Sequence, residues 1–212
     1  DTLKRAQDAL DEAGFAEITL CPETMGKIGQ LGTLEEVLAL CGVDRRITPC
    51  IDFGHLNART LGGIRSKADY AAILDRIGEA LGDARARQFH VHFSRIEYSR
   101  GGEKRHWTFA ETQFGPEPQP LMELLAERGL APVIICESAG TQAEDAKTMK
   151  RFFEACLCTT SQSGLRPPAP LVGEPLAKPE TLRLYIVVCC CSPLPSNVIS
   201  LPRAPLLGGL SP

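Results

Sequence analysis

Two kinds of hydrophobic spacing alternate through residues 1–157 of this 212-residue chain. Apolar positions three or four apart predict helices over 2–13, 33–41, 68–81, 119–128 and 142–155. Apolar runs too short for helices predict strands over 17–21, 47–52, 88–93 and 132–136, with a short one near 106–110. Gly14, Gly42, Gly82 and Gly129 directly follow the first four helical patterns, where a C′ glycine is expected. Strands alternating with helices imply parallel βα units. Five strands are visible, and the chain opens on a helix.

The pattern changes near residue 158. From there on the chain holds ten of its sixteen prolines and only two acidic residues, with neither helical period nor repeat. Residues 158–212 therefore read as a Pro-rich, irregular tail outside the folded unit, disordered or non-native. Its run Cys189-Cys190-Cys191 lacks the spacing of a metal site, and no lipidation motif is present.

Composition narrows the class. A net charge of −3 argues against a general nucleic-acid coat protein and leaves a local basic groove open. No segment reaches the roughly 18–20 apolar residues that span a bilayer, and the amphipathic N-terminus is not a signal peptide. Cys21, Cys41, Cys50, Cys136 and Cys156 sit in apolar stretches, where cysteine acts as a small hydrophobe, and no CxxC pair occurs. The body reads as cytoplasmic, with reduced thiols.

The chemistry collects where strands end. "AEITLCPE" delivers Glu23, "ITPCIDFGH" delivers Asp52 and His55, "RQFHVHF" delivers His90 and His92, "KRHWTF" delivers His106 and "APVIICE" delivers Glu137. Side chains three apart on a strand face opposite ways, so Asp52 and His55 converge only if the strand stops at Asp52 and the backbone turns through Phe53-Gly54. Singly, each residue has a structural reading: a helix N-terminal acid at Glu23, an Asx turn at Asp52, a packed histidine at 90 or 92, a stacking one at 106. Their shared position favours a single explanation. In a (β/α)8 barrel the C-terminal strand ends surround the active site. The expected fold is α/β, a partial (β/α)8 TIM barrel of about the last five βα units over residues 1–157. Nitrogen and carboxylate donors suit Zn²⁺, Mn²⁺ or Fe²⁺.

In its order of motifs the body resembles the endonuclease IV group of apurinic/apyrimidinic endonucleases, among the xylose-isomerase-like TIM barrels. "LCPETMGKIGQLGTLEEV" is similar to the group's fourth-strand Glu and Gly-rich loop, "CIDFGHLNA" to its D-x-x-H segment and "VHFS" to its sixth-strand His. "KRHWTF" is similar to its D-R-H segment, and "VIICESAG" to its last metal-binding Glu. The resemblance implies up to three zinc ions and cleavage of DNA 5′ to abasic sites. It implies metal ligation by Glu23, Asp52, His55, His92, His106 and Glu137, with Glu23 bridging. Arg59, Arg65 and Lys67 follow the D-x-x-H segment, where phosphate contacts would fall.

The chain departs from that pattern twice. Lys104 stands where the group has the Asp of D-R-H, and neighbouring Glu103 substitutes only if the loop shifts. The histidine ligands of strands two and three have no counterpart, as though about three βα units were missing. A barrel segment with open edges is expected to be unstable alone, so activity is expected of the parent protein rather than of this chain by itself. The alternative in the same superfamily is a sugar isomerase or epimerase using one Mn, Co or Mg ion. Glu23, Asp52, His92 and Glu137 satisfy that pattern, with Glu23 and Glu137 shuttling protons and Arg95 and Arg100 binding substrate oxygens. A third reading is an inactive barrel fragment that binds metal or a partner without turnover.

Overall fold

A computed structural model describes residues 2–162, except Gln88. Three short strands, β1 (Cys50–Asp52), β2 (His90–Phe93) and, far along the chain, β5 (Val133–Cys136), form a parallel sheet in the order β1-β2-β5. The strands are in register, with Ile51 opposite Val91 and Val91 opposite Ile134. Those three residues are fully buried. With Phe93 and Cys136 they form the sheet face that packs on helices, and Phe53, just past β1, joins the same core.

The helices answer with their own apolar stripes. α4 (Lys67–Leu81) buries Tyr70, Leu74 and Ile77, spaced at three or four residues as a core-facing stripe requires. α6 (Pro118–Glu127) contributes Leu121 and Leu125, and α7 (Gln142–Gln162) contributes Met149 and Phe153. Each such aliphatic or aromatic side chain stabilises the fold by about 1.5–3 kcal/mol on burial. Because strand residues alternate, the opposite sheet face carries Cys50, Asp52, His90 and His92. The hydrophobic pattern thus decides which residues are left for chemistry.

This is the expected α/β class, with parallel strands and helices in alternation. Of the remaining elements, α1 (Thr2–Glu12) and α2 (Leu34–Cys41) precede β1, α2 starting from a capping box between Thr33 and Glu36. The expected strand over 17–21 does not form. That segment runs beside β1, its Leu20 and Pro22 carbonyls accepting from the N–H groups of Thr48 and Cys50 at 3.0 and 2.9 Å. Pro22 has no N–H to offer, and only Glu23 bridges to Cys50. Gly42 ends α2 in right-handed geometry (φ −70°), whereas Gly14, Gly82 and Gly129 take the expected positive φ.

Two elements between strands differ from expectation. A helix, α3 (Phe53–Arg59), starts directly at the end of β1, ahead of α4 and the short α5 (Asp83–Ala86). The single strand expected near 106–110 is instead an antiparallel hairpin, β3 (Arg95–Ser99) and β4 (Gly102–Trp107). Its register slips between Glu97 and Tyr98, so that Arg105 opposes Glu97 and Glu103 opposes Tyr98, leaving Lys104 as an extra residue. α7 continues to Gln162, past its expected end. The rest of the Pro-rich tail lies outside the described residues. No helix among the described residues is long and apolar enough to cross a membrane.

Candidate metal centre

Asp52 does two jobs at once. Its backbone is extended, and its Oδ1 accepts from the His55 N–H at 2.7 Å, capping α3. The D-x-x-H spacing is thus an N-cap followed by a residue in the first helical turn, and the turn swings His55 back over the strand end. Gly54 is required inside it, since a Cβ there would sit 2.5 Å from the Ser94 carbonyl. The second carboxylate oxygen, Oδ2, is buried with no hydrogen-bond partner, lying 3.3 Å from His55 Nδ1. A buried, unsatisfied carboxylate oxygen is costly unless something positive meets it.

Asp52 stands opposite His92 in the β1–β2 register, and Glu137 follows β5 directly, its N–H donating to the Phe93 carbonyl at 3.0 Å. His92 Nδ1 lies 3.0 Å from Glu23 Oε1 and 3.2 Å from Glu137 Oε1. Glu23, Asp52, His92 and Glu137 each bring one donor atom into a group whose members all lie within 4.8 Å of one another. Burial pushes the Asp52 carboxyl up. Burial also opposes ionisation of Glu23, but hydrogen bonds from His55 and His92 outweigh it and hold the carboxyl down at about 2. Burial likewise works against charge on His92, yet Cys50, Glu137 and Glu23 around it raise its pKa far above the ordinary value. The pocket demands positive charge.

A second donor group adjoins the first. His55, His106 and Glu137 again bring donor atoms within 4.8 Å of one another. His55 Nδ1 donates to the Thr24 carbonyl at 3.0 Å, a partner that can only accept. In the neutral ring the lone pair is therefore on Nε2, which lies 3.4 Å from Glu103 Oε2. His106 Nδ1 is hydrogen-bonded with Ser94 Oγ at 2.8 Å, and its Nε2 lies 3.7 Å from Glu103 Oε1. Imidazoles held from behind at one nitrogen and open at the other are the arrangement of metal-ligating histidines. Burial opposes charge on His55, and Asp52, Glu23 and Glu103 outweigh it, carrying its pKa up to about 10. These residues fit divalent ions: the donors are hard or borderline, and Asp52 Oδ2 lacks any other partner.

All six residues expected as ligands, Glu23, Asp52, His55, His92, His106 and Glu137, come together. The arginines expected to bind substrate do not join them. Arg95 is buried at 4% exposure and donates to the Phe114 carbonyl and to Glu117, anchoring the loop before α6. Arg59 spends its guanidinium on the carbonyls of Met25, Lys27, Ile28 and Gln30, shaping the Gly-rich loop. Arg65 donates to the Gly62 carbonyl, Lys67 pairs with Glu123 and Glu127, and Arg100 is exposed in the hairpin turn. His90 is half-buried and joins no donor group among the described residues. Burial and the neighbouring His92 lower its pKa.

One residue of the site, Cys50, was expected only as a small hydrophobe. Cys50 forms a donor group with Glu23 and His92, not merely a core contact, although burial raises its thiol to about 11. Its signal was its position two residues before Asp52, hence the same strand face. Glu103, expected to substitute for the missing Asp only if the loop shifts, lies 3.4 Å from His55 Nε2 and 3.7 Å from His106 Nε2. Glu23, His55, His106, Glu103 and Glu137 line a cleft of about 940 Å³ with Lys27, Lys104, Arg105 and Trp107.

Residues 1–156 match the family described as xylose isomerase-like TIM barrel. The chain is also similar to the uncharacterized protein MJ0133 of Methanocaldococcus jannaschii, 35% identical over 152 residues. That alignment covers 72% of this chain and 54% of the relative, so the chain spans about half the relative's length. No solved structure matches it at a significant level.

Proposed function

The chain belongs to the xylose isomerase-like TIM-barrel family, and from that premise we propose that it carries the metal-binding part of a phosphodiester hydrolase resembling deoxyribonuclease IV, which cuts DNA 5′ to abasic sites in base excision repair. The observation that carries this reading is the second donor group. A single ion needs only Glu23, Asp52, His92 and Glu137, whereas His55 and His106 add a separate pair of imidazoles a few ångströms away, each braced at Nδ1. Zinc, up to three ions in the whole protein, suits these nitrogen and carboxylate donors.

Bound divalent ions would supply Lewis acidity to a phosphoryl oxygen and lower the pKa of a water. The chain's own residues do the rest. Glu23 and Glu137 stand on either side of His92 Nδ1, so their carboxylates can hold a proton or a nucleophilic water at the junction of the two groups. Asp52 and its α3 cap keep His55 in place. Lys27 on the cleft wall places positive charge where a DNA backbone would pass, and Lys104 and Arg105 at its rim pair with Glu97. An abasic nucleotide enters such a cleft at little cost, because no base has to be unstacked.

The quartet Glu23, Asp52, His92 and Glu137, complete without the second group, favours a single-metal sugar isomerase as the alternative. Metal content and substrate separate the two. The parent protein, loaded with zinc and dialysed, is expected to retain two or more ions and to nick a duplex with one abasic site on its 5′ side. His55→Ala is expected to lose an ion and that cleavage together. One exchangeable ion, no cleavage, and Mn²⁺- or Co²⁺-dependent ketose isomerisation would replace the nuclease by the isomerase.

A further inference from the structure

We propose that the Gly-rich loop of residues 25–32 presents Ile28 and Leu31 to the base stack of a duplex beside the cleft, and that Arg59 is the positioning residue that holds the loop in that shape. The inference rests on the nuclease reading above and deepens it. Leu31 is 66% exposed and Ile28 43%, Leu31 being the most exposed large hydrophobic residue among those described. One exposed aliphatic side chain needs no explanation. Here two stand three residues apart on one loop, and Met25, Lys27 and Gln30 of that loop line the metal-bearing cleft. Apolar surface is thus set beside the cleft.

The loop has little freedom to bury that surface, because its backbone is tied down from three directions. The Met25 N–H donates to the Gly32 carbonyl at 2.8 Å and closes the loop, and the Gly32 N–H donates to Glu36 at 2.8 Å. Gly32 sits at φ +137°, and a Cβ there would meet Met25 Cγ at 2.6 Å. Towards the hairpin, the Ile28 N–H donates to the Gly101 carbonyl and the Glu103 N–H to the Gly26 carbonyl, both at 3.1 Å. From α3, Arg59 donates to the carbonyls of Met25, Lys27, Ile28 and Gln30 at 3.1, 2.8, 3.1 and 2.9 Å. Only a guanidinium, with five donors in a fixed fork, serves four carbonyls at once. A loose loop would fold Ile28 and Leu31 back onto the body and take them out of water. This one keeps them out. Aliphatic side chains suit the flat apolar faces of bases, and the Lys27 ammonium between cleft and loop suits a phosphate. At an abasic site the missing base leaves the faces of its stacked neighbours uncovered, whereas a free sugar offers no such face.

The test compares binding of the zinc-loaded parent protein to two probes by fluorescence anisotropy. One is a duplex with a single abasic site, a hydrolysis-resistant methylene phosphonate on its 5′ side and 2-aminopurine next to the gap; the other is the same strand unpaired. Ile28→Ser/Leu31→Ser is expected to weaken duplex binding by about 10-fold or more, since burying one such side chain is worth at least that factor. It is also expected to abolish the 2-aminopurine fluorescence change while single-strand affinity, ion content and urea midpoint stay as in the wild type. Arg59→Lys keeps the charge without the fork and is expected to lose duplex binding to the same extent. Equal weakening on both probes, or none on either, overturns the proposal while leaving the nuclease reading intact. A lowered urea midpoint in the serine variant also overturns it, because the pair would then be packed inside the parent protein. Full duplex affinity in Arg59→Lys overturns Arg59 as the positioning residue. A parent protein that binds one ion and isomerises a ketose without recognising the abasic duplex overturns both readings together.

Discussion

Asp52 shows how one side chain couples folding to chemistry. Oδ1 is spent on the α3 cap, and Oδ2 is left buried and unpartnered in the donor group. The two functions separate by substitution. Asp52→Asn keeps an oxygen for the cap and removes the charge, so metal affinity is expected to fall more than about 10-fold while the chelator-treated protein unfolds at an unchanged or higher urea midpoint. Asp52→Ala loses the cap as well, and its urea midpoint is expected to drop by the equivalent of about 1 kcal/mol or more. An Asn variant as unstable as the Ala variant would mean that the carboxylate's charge, and not its cap bond, holds the turn.

At the scale of elements, the site is assembled by chain ends and interruptions rather than by regular structure. A strand that stops becomes a helix start at Asp52. A strand with one residue too many turns Glu103 inward. The loop carrying Glu23 is kept in shape by the Arg59 guanidinium and by the α2 capping box, in which Glu36 accepts from the backbone N–H groups of Gly32 and Thr33 at 2.8 Å. Thr33→Ala is expected to cost about 1 kcal/mol of stability, read from denaturant unfolding with its slope unchanged. It is expected to leave ion stoichiometry intact, because the cap is remote from the donors. A loss of bound metal in that variant would show that α2 sets the loop's position directly.

Over the whole molecule, the concentration of carboxylates around buried imidazoles makes stability depend on pH and on metal. His55 has its pKa raised from 6.5 to about 10 in the fold. Its contribution to stability is full below about pH 6.5 and is lost as pH rises through 10. Glu23 has its carboxyl lowered from 4.5 to about 2, so its contribution is full above pH 4.5 and lost as pH falls toward 2. The chelator-treated protein is therefore expected to be most stable between about pH 4.5 and 6.5 and to weaken steadily towards pH 10. With zinc bound, the ion takes the place of the imidazole protons, and the alkaline decline is expected to vanish in urea midpoints measured across the same range. A parallel decline with and without metal would place the dependence elsewhere.

Much of this was legible in the order of residues. Helical spacing alternating with short apolar runs determined an α/β chain, and in its strands Asp52 and His92, lying between buried apolar neighbours, face away from the helices. The six expected ligands were legible in their place at strand ends and in the resemblance that singled them out. Only the tertiary structure decided the rest, because it depends on contacts between segments far apart in the chain. The capping of α3 was foreshadowed by D-x-x-H, yet the bulge at Lys104 depends on Glu97 across the hairpin and on Gly26, 78 residues away. Arg95 and Arg59 were expected to bind substrate because a charge gives no hint of its partner. Their partners are carbonyls and Glu117, which the fold alone brings within reach.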